Sequence, residues 1–491
     1  MSSSLDEHVA RVCRDARTTP AVYDLNEGRS LTFGDLYAEY LAIGRVLRRL
    51  QLGPGSPIVT IAGNRPVFFP LVAACLSAGA ALIPLGETTD DEAVSVIMKS
   101  GARAVVTDRV LPLPPAAHEP IADGMRIVAL DAGRGGQPYP EAAVLKLTSG
   151  STDVPKAAVA GVEHLINDGR HVIEAMGITP ADVNLGCIPL SHSYALGNIV
   201  MPLLLQGTAV ALRQSFNPAQ FPADVTASHA TVFPGVPFMF DRLRALGLDT
   251  VPAPLRLLIT AGARIDPQTV SWFHRTLGYK VHSFLGSSET GGISYDESDE
   301  VTDPLNVGRP MPETTIEIRD PDQAGRGRIF VAGTAVAGGY AQVYTRSEDD
   351  LVQVAAPSDS GLFIDYGFLT GDVGYIGNDG RVILTGRVSA SINVAGLKVD
   401  PAEIERVLRE LPGVADVRVI GASCDRRGQQ LVAFIVSDHA LSSVDLRQRC
   451  ARQLSPHKIP RQFIFLDRLP LDARGKMDRR ALEALAATAP A

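Results

Sequence analysis

The chain has 491 residues, with 46 basic and 54 acidic side chains, a formal net charge of -8, 45% apolar and 20% charged residues. That apolar content excludes a disordered chain, and the acidic balance excludes a nucleic-acid binder held by basic charge. At about 100–200 residues per domain, the length accommodates about three structural units, or one large domain and a smaller one.

The start, Met1-Ser-Ser-Ser-Leu-Asp-Glu-His8, carries acid where a signal peptide carries base, and no apolar run follows it. A cytoplasmic protein is expected. From Tyr23 to about Val232 the pattern alternates amphipathic helices with short apolar strands: 36–50 then 57–62, 66–78 then 81–84, 90–100 then 104–107. This alternation predicts parallel sheets covered by helices, an α/β body. The most apolar stretch, 71–85, contains Ser77, Gly79 and Pro84. It is shorter than the about 20 residues that a bilayer needs, so no membrane span is predicted and a buried helix, a turn and a strand are. Five cysteines, Cys13, Cys75, Cys187, Cys424 and Cys450, show no paired or metal-ligand spacing and read as reduced thiols.

The same alternation continues through 251–282. After Gly308 it gives way to short strands punctuated by Gly and Asp, at 314–319, 327–331, 361–364, 374–376 and 381–385, which predict a small β subdomain. A joint of Gly and small polar residues follows at 386–391. Beyond it, Asp400-Pro401-Ala402-Glu403 places an N-cap, a Pro at the first helical position and a Glu at the third. That helix should run to about 411. Strands at 414–420 and 431–436, a helix at 444–454 and a strand at 462–466 complete an αββαβ lobe. The expected division is therefore 1–386 for the body and 387–491 for a small α+β lobe.

Four polar segments carry chemistry. Thr148-Ser149-Gly150-Ser151-Thr152-Asp153-Val154-Pro155-Lys156 leaves an apolar strand and offers hydroxyl and backbone donors with one cation. It suits a phosphate cradle or an ordinary Ser/Thr loop equally, and it lacks the second Gly and the Ser/Thr after Lys of a Walker A loop. Gly286-Ser287-Ser288-Glu289-Thr290-Gly291 could hold Mg²⁺ through Glu289 and a phosphate through Ser288, or be a plain surface turn. Thr370-Gly371-Asp372 offers two carboxylate oxygens to a ribose, or forms a hairpin turn. Gly475-Lys476 puts a lysine in a polar loop before a last helix, where a solvated charge is the ordinary reading.

In this order, these segments resemble the adenylate-forming superfamily, which comprises acyl- and aryl-CoA ligases, adenylation domains of peptide synthetases and luciferases. The pattern is nearest to stand-alone acyl- and aryl-CoA ligases. The resemblance runs from Leu31-Thr32-Phe33 to Leu482 and takes in Ile188-Pro189-Leu190-Ser191-His192, Val307-Gly308-Arg309-Pro310, 333–340, Gly386-Arg387 and Gly396-Leu397-Lys398-Val399. Each motif is weak alone, whereas their collinear order is specific.

The resemblance implies an ATP-dependent ligase. A carboxylic acid attacks the α-phosphate to give an acyl-adenylate and pyrophosphate, and an acceptor then displaces AMP. It assigns Lys476, Ser288, Glu289 and His192 to catalysis, with Glu289 holding Mg²⁺. Thr148, Ser149, Gly150, Ser151, Thr152 and Lys156 would steer the pyrophosphate. Ala261, Gly262 and Ala263 would wall the adenine, with Leu285 and Gly286 beside it, and Asp372 and Arg387 would bind the ribose. Gly396 and Lys398 would face the acceptor's pantetheine arm after the small lobe rotates between the two steps.

Three positions depart from the family pattern: Asp153 stands for a Gly, Leu285 for the aromatic that stacks on adenine, and Ser389 for the usual hinge Asp or Lys. No acidic residue occurs between Asp182 and Asp224, so nothing there would neutralise a substrate ammonium, and a non-amino acid is expected. His192, Tyr194, Phe233, Gly235, Gly286 and Gly291 are the expected acyl or aryl pocket. CoA is the favoured acceptor. A carrier-protein phosphopantetheine and an amine stay open, as does a non-catalytic nucleotide-binding relative. A monomer or homodimer in a specialised pathway is expected, with no nucleic-acid partner.

Overall fold

The computed structural model describes residues 4–113, 115–130, 139–148, 156–303, 305–341, 345–346, 351–352, 361–364, 366–387, 392–395, 397–399, 401–424, 428–437, 441–470 and 479–488. Helix starts follow local chemistry. Thr32 and Asp35 form a reciprocal capping box on the helix Phe33–Arg49, and Thr89 and Glu92 form another on Asp90–Lys99. In each, the hydroxyl satisfies a backbone N–H that the first turn leaves unpaired, and the acid returns to the cap's own N–H.

Two large sheets form the body. One has the spatial order Arg309–Pro310, Gly291–Tyr295, Val281–Ser287, Leu257–Thr260, Val232–Gly235, Val183–Gly186, Ala209–Leu212, Pro20–Asp24, Arg29–Thr32. The other runs Tyr340–Ala341, Lys156–Ala160, Val144–Thr148, Ala81–Pro84, Pro57–Ile61, Ala104–Thr107, Arg126–Leu130, Pro115–Pro120. Their central pairings are parallel, as the helix–strand alternation predicts, and antiparallel strands close the edges. The buried helix expected at 71–85 is Phe68–Ser77, followed by Ala81–Pro84, with every residue from Phe68 to Leu76 buried. Sequence alternation passed over the edge hairpin of Pro115–Pro120 and Arg126–Leu130, because its first strand is mostly polar or exposed. It also passed over the opening helix Ser4–Asp15, which buries Leu5 and Val9.

The β subdomain is a sheet of Thr314–Arg319, Gly327–Gly333, Gly367–Ile376 and Gly361–Ile364, with Val382–Arg387 paired to Gly367–Ile376. The strand expected at 374–376 is the end of a longer one. The joint expected at 386–391 lies mostly outside the described residues.

The last unit holds the αββαβ order as Pro401–Arg409, Val414–Cys424, Gly428–Ser437, Ser443–Gln453 and Gln462–Leu466. A short hairpin, Ile392–Val394 with Leu397–Val399, precedes it, and the helix Arg479–Thr488 follows. Its own core, including Ile404, Leu408, Val417, Leu431 and Phe463, supports an independent lobe. Among the described residues, no helix is long and apolar enough to cross a membrane. Cys13, Cys75, Cys187 and Cys450 are unbridged and buried.

Candidate active site

A tight turn at 287–291 joins the antiparallel strands Val281–Ser287 and Gly291–Tyr295. Ser287 builds it, since its hydroxyl accepts from the N–H groups of Glu289 and Thr290, both at 3.2 Å. Glu289 is thereby held in place with only 8% exposure. Its Oε1 accepts from the Tyr340 hydroxyl at 2.8 Å, and its carbonyl accepts from the Ala337 N–H at 2.8 Å. Tyr340 is placed by pairing with Ala158 in the strand that leaves the 148–156 loop. Burial, and then the Glu289 charge, raise the phenol's pKa, so it stays a donor. The second carboxylate oxygen of Glu289 accepts no hydrogen bond among the described residues. A hard oxygen ligand of this kind fits Mg²⁺, which is commonly held by one or two carboxylates together with phosphate oxygens. The described residues contain no group of three or more His, Cys, Asp or Glu able to hold a metal without such help.

On the other side of the turn, Ser193 Oγ donates to Ser288 Oγ at 3.0 Å. Ser193 opens a helix that runs through Ser193–Ala195, a π-wound turn Leu196–Val200 and Met201–Gln206. Side-chain amides tie the wide turn: Asn198 donates to the Tyr194 carbonyl and Asn184 to the Asn198 carbonyl, each at 3.2 Å. Tyr194 packs against Phe284 with ring centroids 5.8 Å apart and donates to the Ile259 carbonyl at 3.3 Å. His192 is open to solvent along one side yet ringed by protein, and that desolvation holds its imidazolium below the usual histidine range. The ring is therefore neutral near pH 7.

Two expected pocket residues face elsewhere. Phe233 is fully buried and packs against Phe221 and Phe240, with centroids 4.9 and 5.4 Å away. Strand alternation explains this: Val232 joins the Tyr194–Phe284 cluster, so Phe233 points to the opposite face. Gly235 shares that face, and a β-carbon there would stand 3.0 Å from Phe240. Both residues therefore belong to the core beneath the pocket. Gly286 and Gly291 remain on the hairpin. A β-carbon at Gly286 would meet the Gly291 carbonyl at 2.9 Å.

Ala261, Gly262 and Ala263 follow the strand Leu257–Thr260 at the same sheet end as the 287–291 turn. Leu285, at the adenine position, is half-buried against a cluster that includes Ile293 and Val307. Phe284 points to Tyr194 and cannot take its place. Asp372 is buried and stands opposite Arg387 in strand register. For Thr148, Lys156, Arg387 and Lys398 the backbone alone is described. Ser149, Gly150, Ser151, Thr152, Asp153, Ser389, Gly396 and Lys476 lie outside the described residues.

The small lobe meets the body at this site. Asn393, in the 392–399 hairpin, donates its side-chain amide to the Gly262 carbonyl. Farther along, Ser455 and Lys458 both bind Glu92, and His457 stands near enough to His192 for their charges to interact. Sequence reading missed Ser193, Tyr340, Asn393 and His457. Tyr340 lies at the end of the quoted 333–340 segment, but nothing local shows that its hydroxyl reaches a residue 51 positions away.

This two-lobed α/β architecture, with a carboxylate turn at a sheet end and a hairpin of the small lobe against the neighbouring Gly262, defines a nucleotide-dependent enzyme class. The chain belongs to the AMP-binding enzyme family: the family model matches residues 9–341, and the AMP-binding enzyme C-terminal domain matches 403–476. It is 26% identical to sulfoacetate–CoA ligase of Cupriavidus necator, covering 94% of each chain. It is 28% identical to the fatty acid–[acyl-carrier-protein] ligase ScoC of Streptomyces coeruleorubidus, covering 95% of this chain and 93% of the relative. The o-succinylbenzoate CoA synthetase of Bacillus subtilis, solved with a product analogue, shares the fold at TM-score 0.80 and 22% identity, covering 97% of this chain and 98% of that one. By contrast, the chain spans only 7% of tyrocidine synthase 3 of Brevibacillus parabrevis, with 25% identity over the matched part.

Proposed function

We propose that this protein activates a non-amino acyl or aryl carboxylic acid with ATP and transfers it to a thiol, with CoA the favoured acceptor. In the first step a carboxylate oxygen forms a bond to the α-phosphorus. The bond from that phosphorus to the bridging oxygen breaks, and pyrophosphate leaves with the electron pair. In the second, the thiol sulfur bonds to the acyl carbon, the acyl–phosphate oxygen bond breaks and AMP leaves.

The observation that carries this reading is the double attachment of the 287–291 turn. Tyr340 binds Glu289 from the phosphate-loop strand, and Ser193 binds Ser288 from the acyl segment. Nucleotide and acid would thus meet at one rigid turn, where fixed donors can face growing charge on the α-phosphoryl oxygens. Mg²⁺ on Glu289 would supply neutralisation of phosphate charge. Lys476 would bridge the carboxylate and the α-phosphate, Asp372 and Arg387 would hold the ribose, and the neutral His192 would accept the proton that the thiol loses. The 387–491 lobe would carry Lys476 away and bring the 392–399 hairpin in. The Asn393 contact to Gly262 fits the second of these arrangements.

The test is acid-dependent pyrophosphate release over a broad panel of carboxylic acids, then mass spectrometry of the product with CoA, a holo carrier protein or amines. A thioester of CoA is expected. If no acid elicits pyrophosphate and Lys476→Ala changes nothing, the chain is a non-catalytic relative.

A further inference from the structure

Lys146 is the only charged residue in the strand Val144–Thr148, and it is 5% exposed. Leu145 and Leu147 pack to one side of this strand and Val144 to the other, into the main core. Alternation therefore puts Lys146 on the inner face, two residues before the phosphate loop. Its ammonium makes no hydrogen bond or ion pair among the described residues. Burial lowers its proton affinity, while the charges of Asp168 and Glu289 oppose that shift.

Asp168 is 4% exposed, on the inward face of the helix Val162–Met176. Its Oδ1 accepts from the Gly292 N–H at 2.8 Å. Its Oδ2 has no donor among the described residues. The carboxylate lies in space that two neighbours leave open: a β-carbon at Gly197 would stand 2.7 Å from Oδ2, and one at Gly291 would stand 2.5 Å from Oδ1. Gly197 follows Tyr194 by one helical turn, and Gly291 closes the turn that carries Ser288 and Glu289. Asp168 therefore packs behind the turn that carries Ser288 and Glu289 and beside the helix that carries Tyr194.

A bound ligand that shuts water out and offers no partner to such an ammonium or carboxylate oxygen costs about 1–3 kcal/mol or more at each. An apolar tail placed there would leave both unmet. A second carboxylate would suit Lys146 but be repelled by Asp168. A hydroxyl or a primary carboxamide both donates and accepts, and can serve the two at once.

We infer that Asp168 and Lys146 form the polar inner end of the acyl pocket, and that the acid activated carries a hydroxyl or carboxamide remote from its carboxylate. This rests on the reaction proposed above and adds its substrate class.

The test uses the full chain and matched acids, namely alkanoates against their ω-hydroxy and ω-carboxamide forms, and arylpropanoates with and without a ring hydroxyl. Acid-dependent pyrophosphate release is the readout. For at least one matched pair, the polar acid is expected to show a kcat/KM about 100-fold or more above its apolar partner, as sites built to bind a hydroxyl reject its absence. The double variant Lys146→Met/Asp168→Asn should reduce that ratio below about 5-fold while still turning over the apolar acid. If the double variant does not fold, Asp168→Asn alone, which keeps the shape and the Gly292 hydrogen bond, should reduce the ratio at least about 10-fold. Equal use of polar and apolar acids by the wild type, or an unchanged ratio in the variants, overturns the inference and leaves the proposed reaction standing. Absence of pyrophosphate release from every acid overturns both.

Discussion

The backbone N–H of Ser455 donates to Glu92 Oε1 at 2.9 Å, so a residue of the small lobe binds a carboxylate that already caps a helix of the body. The Ser455 hydroxyl reaches the other oxygen, and the Lys458 ammonium lies 3.3 Å from Glu92 and 2.8 Å from Glu403. Glu92→Ala removes these contacts together. At about 1–2 kcal/mol for a partly buried charged cluster, transfer from a preformed acyl-adenylate should slow about 5- to 30-fold. Adenylation should change much less. Single-turnover assays of each half-reaction decide the matter, and equal losses would rule out a role for Glu92 in holding this lobe orientation.

Acidification should undo the same contact. Burial, helped by the Lys458 and His192 charges and opposed by Glu92, pushes the His457 pKa down to about 4 from an ordinary 6.5. A histidine that binds its proton less well when docked favours docking fully above about pH 6.5, and this contribution is lost as pH falls from 6.5 toward 4. Burial raises the Glu92 carboxyl, but Lys458 and the Ser455 hydrogen bonds outweigh it and hold the pKa below 4.5. Its contribution persists above that value and disappears at lower pH. Energy transfer between dyes on the two lobes should therefore fall below about pH 6.5, and His457→Phe should remove the first phase. A signal independent of pH would contradict this.

Tyr340→Phe deletes the phenol hydrogen bond to Glu289 Oε1 and keeps the ring that packs against Phe363 and Phe368. A hydrogen bond to a carboxylate contributes about 1.5–3 kcal/mol, so kcat/KM for pyrophosphate release should drop about 10- to 150-fold. The Mg²⁺ concentration for half-maximal rate should move as well. A variant with normal Mg²⁺ dependence and normal rate would remove Tyr340 from the site.

Gly291→Ala should be costly in a way that Gly101→Ala is not. Both glycines have positive φ, +66° and +62°, but a β-carbon at Gly291 would lie 2.5 Å from the buried Asp168 carboxylate, whereas Gly101 has nothing within 4 Å. Backbone strain alone costs about 1–2 kcal/mol, and the clash should take Gly291→Ala to about 3 kcal/mol or more. Denaturant titration of both variants measures the difference. Similar losses would show that the Asp168 side chain retreats easily.

Lys476→Ala should reduce adenylation by orders of magnitude while sparing transfer from a preformed adenylate, because the lysine is proposed to act in the first step alone, where it bridges the carboxylate and the α-phosphate. Comparable losses in both half-reactions would refute that role.

Several things were legible in the residues alone. Helix–strand alternation determined the parallel body, and Asp400-Pro401-Ala402-Glu403 placed the first helix of the small lobe, since periodicity and capping are local properties. The collinear order of the Gly- and hydroxyl-rich loops determined the family, and the absence of acid between Asp182 and Asp224 determined the non-amino reading of the substrate. Only the tertiary structure decided which face each strand residue takes, turning Phe233 into the core and Lys146 inward. It alone joined Tyr340 to Glu289, Ser193 to Ser288 and Ser455 to Glu92 across 51, 95 and 363 positions. A hydrogen bond acts over about 3 Å of space and carries no trace in chain order. The Asp168 carboxylate meets Gly197, Gly291 and Gly292 only through folding, since these glycines lie on two other segments of the chain.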